Sequence, residues 1–182
     1  LKPWKRIEPT KVLYKGWRTV IEKTFVRNDG KIVIAETNDP EGMEAAAIIS
    51  ITPEKRVVIA RQFRVGPEKI LDDLPGGAVD KGETPEQAVV RELAEEAAYK
   101  AVRVEYLGKA YKHAYLNMTW HFFIATDCTP IASGQRLDNF EEIEVALISI
   151  DELLYNAKNA RMSDADAVLL AYEKLIDLKG EE

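Results

Sequence analysis

The alternation of apolar and polar positions divides the chain into strands, one sharply delimited helix near the middle, further strands and a helical end. Residues 11–36 read as two or three strands with a turn at Asn28-Asp29-Gly30. Apolar runs at 44–51 and 56–63 predict two more strands, joined by the turn Thr52-Pro53-Glu54-Lys55. Residues 67–83 hold Pro67, Pro75, Gly76, Gly77 and Gly82, which predicts a long ordered loop or short strand pieces. After the helix, strands are expected at about 102–112, 119–126 and 143–150, with a polar irregular stretch at 127–141. Two helices close the chain, near 151–158 and from a Ser163 cap to about Leu178. Strands flanking a central helix, with helices at the end, predict an α/β sandwich with a mixed sheet.

The central helix has the clearest signals. Thr84 is a good N-cap, Pro85 suits the first helical position, and Gln87 completes a capping box; the helix should run to about Ala98. At about 100° per residue, Glu92, Glu95 and Glu96 fall on one arc of it. Val89, Val90, Leu93 and Ala97 form the neighbouring apolar stripe, which must pack on a sheet. The carboxylates therefore lie at the margin of a buried face. Like charges so spaced repel one another, and an oxygen-only cluster attracts a hard cation, of which magnesium is the usual one where phosphate is present. Glu83 stands one residue before the helix cap, within reach of the same site, and Arg91 one turn before Glu95 can orient it by a bidentate ion pair.

Composition narrows the partners. With 182 residues, 46% hydrophobic and 31% charged, the chain suits one ordinary core with room for a small extra lobe. A net charge of -6 argues against general nucleic-acid binding, yet allows an anionic small molecule where a metal inverts the local sign. The single cysteine, Cys128, can make no internal disulfide, so a reducing, cytoplasmic setting is expected. No apolar run reaches the roughly 18 residues of a membrane span, and Leu1-Lys2-Pro3-Trp4 lacks the layout of a signal peptide.

The stretch from Gly77 to Glu96 resembles the Nudix box: a glycine, five residues, a glutamate, seven residues, then Arg-Glu-apolar-any-Glu-Glu. Gly77, Glu83, Arg91, Glu92, Leu93, Glu95 and Glu96 all match. One departure is Ala98, where the family usually has the glycine that ends the helix; Tyr99 fills the apolar position closing the box. The resemblance implies an α/β/α sandwich with a mixed sheet over 43–182, the box lying at 77–99, preceded by an antiparallel β lobe at 1–42. It implies a hydrolase that uses water and divalent ions, Mg2+ or Mn2+, to cut the diphosphate of a nucleoside diphosphate derivative. Glu92, Glu96 and Glu95 would hold metal with the backbone carbonyl near Gly77–Ala78. Glu83 would assist and Arg91 would orient.

A narrower likeness extends over most of the chain. Leu13-Tyr14-Lys15-Gly16-Trp17, Arg61-Gln62-Phe63-Arg64 and Leu74-Pro75-Gly76-Gly77 resemble the ADP-ribose pyrophosphatase branch. That branch implies an ADP-sugar substrate and a homodimer formed through the N-terminal strands. Trp17 is the candidate to stack on adenine with Arg18 beside it; the same tryptophan would equally serve core or dimer packing. Arg61 and Arg64 are candidate diphosphate clamps, although strand alternation places them on opposite faces. The branch carries its general base on the loop before the last strand, here Glu141 or Glu142. Where a Ser-Pro-Gly-like turn is usual, this chain has Lys112-His113-Ala114-Tyr115, so His113 and Tyr115 are further candidate substrate contacts. That departure leaves a GDP-sugar, NADH or a dinucleoside polyphosphate open as substrate, and a non-catalytic nucleotide sensor as the alternative to an enzyme.

Overall fold

The computed structural model describes residues 1–180. They form two compact units, one comprising 1–43 and 111–119, the other 44–110 and the rest.

The first unit is an antiparallel sheet built around β3 (Thr19–Val26). β1 (Lys5–Arg6) and β2 (Lys11–Lys15) follow each other along one edge of β3, and β4 (Ile32–Asn38) covers the other. The Asn28-Asp29-Gly30 turn joins β3 to β4, with Gly30 at φ 82°, a conformation that favours glycine. Residues 111–119 are sewn onto this sheet by Asn117. Its amide donates to Thr37 Oγ1 (2.9 Å) and to the Asp39 carbonyl (2.6 Å), and Lys23 Nζ donates to its oxygen at 2.5 Å.

The second unit is a sheet between two helical layers, an α+β sandwich. Its order is β10 (Val104–Ala110), β11 (Thr119–Ala125), β5 (Glu44–Ile51), β6 (Val57–Arg64), β13 (Ile143–Ile148). β5 is buried on both sides from Ala45 to Ile51. One face carries Ala46, Ile48, Val58, Phe123 and Ala125 and is covered by Ala88, Val89, Leu93 and Ala97 of α1 (Pro85–Ala97). The other carries Ile49, Ile51, Val57, Ile59 and Phe122. α2 (Ile150–Lys158), α3 (Ala165–Leu170) and α4 (Tyr172–Gly180) cover it through Leu153, Val168 and Leu175. Each fully buried large aliphatic side chain contributes roughly 1.5–3 kcal/mol, so these two layers hold the sheet that carries the box helix.

β5 and β6 are paired only next to their turn, at Ser50↔Val58 and Ile51↔Val57. Beyond it they diverge, and β7 (Lys69–Asp73) and β8 (Gly76–Ala78) enter the gap, β7 along β6 and β8 along β5. The Pro/Gly-rich stretch is thus short strand pieces forming a wedge. A Cβ on Gly76 would collide with the Ala46 carbonyl and Ala47, so glycine is required for the close approach. A small pairing of β9 (Tyr99–Lys100) with β12 (Thr129–Pro130) lies beside the end of α1.

The chain end differs from the single Ser163-capped helix expected. Ser163 turns its hydroxyl to Asp73 (2.6 Å), and Asp164 occupies the cap position. The Asp164 carboxylate accepts from the Leu74 N–H at 3.2 Å and makes no cap bond, and the helical run breaks at Ala171 into α3 and α4. Two side chains suited to capping a helix bind the wedge instead.

α1 has the expected entry. Thr84 Oγ1 accepts from Gln87 N, Gln87 Oε1 accepts from Thr84 N, and Pro85 opens the helix. Its exit is left-handed, with Ala98 at φ 55°, ψ 39°. An L-residue there is strained by about 1 kcal/mol, partly offset by the extra freedom glycine has when unfolded. Ala98→Gly is therefore expected to stabilise the protein by about 0.5 kcal/mol, read as a higher urea midpoint with unchanged slope. A lowered midpoint would mean that the alanine methyl makes a packing contribution larger than the strain.

Candidate active site

The wedge lays Gly76–Ala78 against the carboxylate margin of α1. Glu96 is 4% exposed, and its Oε2 accepts from the Gly76 N–H at 2.8 Å. Gly77 faces the end of the Glu92 side chain, so a Cβ there would have to push that carboxylate aside. Burial first of all pushes the Glu96 carboxyl up to about 8; the charges of Glu92 and Glu141 add to this, against the Gly76 N–H and the Arg64 cation. Burial likewise raises Glu92, with Glu95 and Glu141 adding, while Arg91 opposes.

Arg91 is the hub of the acidic set. Its Nε and Nη2 bind both oxygens of Glu83 at 3.0 Å each, Nη1 reaches Glu92 at 2.8 Å and Glu95 at 3.2 Å, and Nη2 donates to the Ala78 carbonyl at 3.2 Å. Such bidentate geometry suits only a guanidinium. Glu83 is thereby a partner of Arg91, held below the usual carboxylate range by it. Glu83 also accepts from the Asp80 N–H, which closes the loop before the helix. As they stand, no three acidic, histidine or cysteine groups among the described residues converge on one point, since Glu92 and Glu95 are turned toward Arg91.

The loop before β13 is clasped to the end of α1. Gln135 Nε2 donates to the Glu96 carbonyl (2.5 Å) and the Ile143 carbonyl (3.2 Å). The Arg136 N–H donates to the Glu95 carbonyl at 2.8 Å. The clasp takes up carbonyls that a helix end leaves open, and it carries Glu141 close enough to act on Glu92 and Glu96 through its charge. Glu141 itself folds back on its loop, Oε2 accepting from Asp138 N at 2.9 Å. Glu142 is exposed. No local pattern marked Gln135; an isolated glutamine in a polar loop has no recognisable spacing.

Alternation settles the two arginines differently. Arg61 shares the α2 face, where Nε and Nη2 bind Asp72 (2.6 and 3.3 Å) and Nη1 meets Glu144 at 3.5 Å; it lines a shallow hollow with Lys69, Asn156 and Arg161. Arg64 lies on the α1 face, joined through Nε to the fully buried Asp73, and its charge reaches Glu96.

The remaining candidates belong to the first unit. Trp17 is 88% exposed at the β2–β3 turn. Arg18 Nη1 pairs with the buried Asp39 at 3.0 Å. The His113 and Tyr115 rings lie 5.7 Å apart, tilted at 44°. Cys128 is buried in the α1-face core and its thiol is pushed up by burial, which makes it unreactive.

The NUDIX domain model matches residues 42–170. A methanol dehydrogenase activator of Bacillus methanolicus is 30% identical over 126 residues, covering 69% of this chain and 68% of that protein. An ADP-ribose pyrophosphatase of Bacillus subtilis (strain 168) is 28% identical over 122 residues, 66% of each. The matched stretch thus spans about two thirds of these relatives' own length. The crystal structure of an ADP compounds hydrolase superimposes with a TM-score of 0.80 at 23% identity, covering 100% of this chain and 97% of that one, a likeness of fold. No helix among the described residues is long and apolar enough to cross a membrane.

Proposed function

The chain belongs to the Nudix family, whose domain model spans most of it, and from that premise we propose that it hydrolyses the diphosphate linkage of ADP-ribose or another ADP-sugar, giving AMP and a sugar phosphate. The observation that carries this reading is the carboxylate margin of α1. Glu92 and Glu96 are held desolvated beside each other; among the described residues Arg91 is the one guanidinium bonded to Glu92, and the Gly76 N–H donates to Glu96. Such a site is short of positive charge, and its donors are all hard oxygens, which fits a divalent cation. Glu92, Glu96 and Glu95, with the carbonyls at Gly77–Ala78, would hold it; Mg2+ is the expected ion and Mn2+ a substitute. When bound, the ion supplies neutralisation of the diphosphate and lowers the proton affinity of water.

The chain's own residues do the rest. Glu141, or Glu142, accepts the proton of the attacking water. Arg64 holds the diphosphate. Arg91 and Glu83 keep the acids in register. Trp17 and Arg18 are assigned to the adenine and His113 and Tyr115 to the distal sugar, in a homodimer formed through the N-terminal strands. Exposed Val12, Tyr14, Ile32 and Ile34 in that lobe favour such an interface; a monomeric mass in solution would remove it. The relatives' names favour an ADP compound, and the buried lone cysteine suits a reducing, cytoplasmic setting.

The test is incubation with ADP-ribose, GDP-mannose, NADH and a diadenosine polyphosphate in magnesium, with products separated by chromatography. AMP and ribose 5-phosphate are expected from ADP-ribose. Turnover of another member alone would keep the chemistry and change the substrate. Ligand binding without turnover anywhere in the set would turn the reading to a sensor.

A further inference from the structure

We propose that Asp73, fixed by Ser163, is a positioning residue that aims the Arg64 guanidinium at the substrate's diphosphate; the inference rests on the reading of Arg64 above. Asp73 is fully buried at the end of β7, where a carboxylate is costly unless well satisfied. Its satisfaction is asymmetric. Oδ1 accepts both the Ser163 N–H (3.1 Å) and the Ser163 hydroxyl (2.6 Å), while Oδ2 accepts Arg64 Nε. Ser163 lies ninety positions further along the chain, and the same turn fixes the wedge a second time through Asp164 and the Leu74 N–H.

The consequence lies at the tip of Arg64. Only Nε is anchored, and among the described residues its two terminal nitrogens donate no hydrogen bond. The side chain is 41% exposed although its anchor is not exposed at all, and its charge is felt at Glu96. A guanidinium oriented from behind, with its two-pronged end open, matches two oxygens of a phosphate at little further ordering cost. Arg61 is the contrast within one strand. All three of its nitrogens are engaged with Asp72 and Glu144, so it has no open fork. Adjacent Asp72 and Asp73 thus give two arginines opposite fates, one closed and one presented.

The experiment measures ADP affinity by calorimetry and KM and kcat for ADP-ribose, both in magnesium, for wild type, Arg64→Ala, Asp73→Asn, Ser163→Ala and the double variant Arg64→Ala/Asp73→Asn. Asp73→Asn preserves shape and removes the charge. It and Arg64→Ala should each weaken ADP and raise KM roughly tenfold, the scale of one charged hydrogen bond. kcat should change less than about threefold in Asp73→Asn, because a positioning effect on a binding group is uniform across ground and transition states. The double variant should be no weaker than Arg64→Ala alone, since the two act as one unit. Ser163→Ala, which keeps the backbone donor to the same Asp73 oxygen, should weaken ADP about threefold, because it loosens the anchor of Arg64 and leaves its charge in place, and it decides the matter if Asp73→Asn does not fold. Multiplying effects in the double variant would overturn the proposal. So would ADP affinity unchanged in Asp73→Asn, or in Ser163→Ala should the former not fold, while Arg64→Ala weakens it. If Arg64→Ala changes nothing, the clamp itself falls, and the proposal with it. Absence of turnover in wild type would refute the hydrolase reading alone, because ADP affinity still reads the clamp.

Discussion

Glu96→Gln is expected to lower kcat/KM by roughly a thousandfold, the several kcal/mol that metal-assisted charge stabilisation contributes, while making the metal-free protein more stable at alkaline pH. The two effects have one origin. Glu96 is buried, and its carboxyl is pushed up to about 8 by that burial and by the charges of Glu92 and Glu141. In the unfolded chain it titrates near 4.5. Between those values the folded protein holds a proton that the unfolded chain has released. Stability must then fall as pH rises through this window, with the full penalty above about 8. Glutamine removes that penalty and keeps an oxygen for the Gly76 N–H. In chelator at pH 8.5 the variant should gain on the order of 2 kcal/mol, or roughly 4–8 °C in Tm; below pH 4 the difference should vanish. Added magnesium should stabilise wild type and leave the variant unmoved. Denaturation curves from pH 4 to 8.5, with and without the ion, test all of this. A variant less stable than wild type at pH 8.5 in chelator, or one that retains activity, would remove Glu96 from the centre of the site.

What the sequence disclosed and what it withheld follow from how local each feature is. The box helix was legible because its signals lie within a few residues: Thr84 and Gln87 cap it, and Glu92, Glu95 and Glu96 share an arc by helical period alone. Period two likewise put Arg61 and Arg64 on opposite faces of β6, but it could not say which face carries α1, because that depends on the order of strands in the sheet. Sequence alone resolves the wedge only to loop or strand pieces, since its pairing partners, β5 and β6, are distant in sequence. Buried Asp72 and Asp73 run against the expectation that aspartate is exposed, and their partners Asn156, Arg161 and Ser163 come from the far end of the chain. For the same reason Ser163 looked like a helix cap. Its hydroxyl had a choice between a local and a distant acceptor, and only the fold brings the distant one near.

The loop before β13 gives the second large effect. Glu141→Gln is expected to reduce kcat by roughly 10²–10³, within the range of general-base contributions, with KM for ADP-ribose within a few fold of wild type. The argument is one of placement. Gln135 and Arg136 bind the loop to the carbonyls of Glu95 and Glu96, so the proposed base is tied to the same helix that bears the acids proposed to hold metal. The charge of Glu141 is already among those acting on Glu92 and Glu96. Its present hydrogen bond to Asp138 N is a short-range one within an exposed turn, and it can be exchanged for a water without moving the clasp. An uncharged amide in its place can orient that water but not take its proton. Glu142→Gln is the internal control, since neighbouring side chains at a strand entrance point apart, and it should retain near wild-type kcat. Steady-state kinetics on the pair decide between them. If Glu142→Gln loses the rate and Glu141→Gln keeps it, the two residues exchange roles. If both keep it, the proton goes to a group on α1, and the loop serves to close the site.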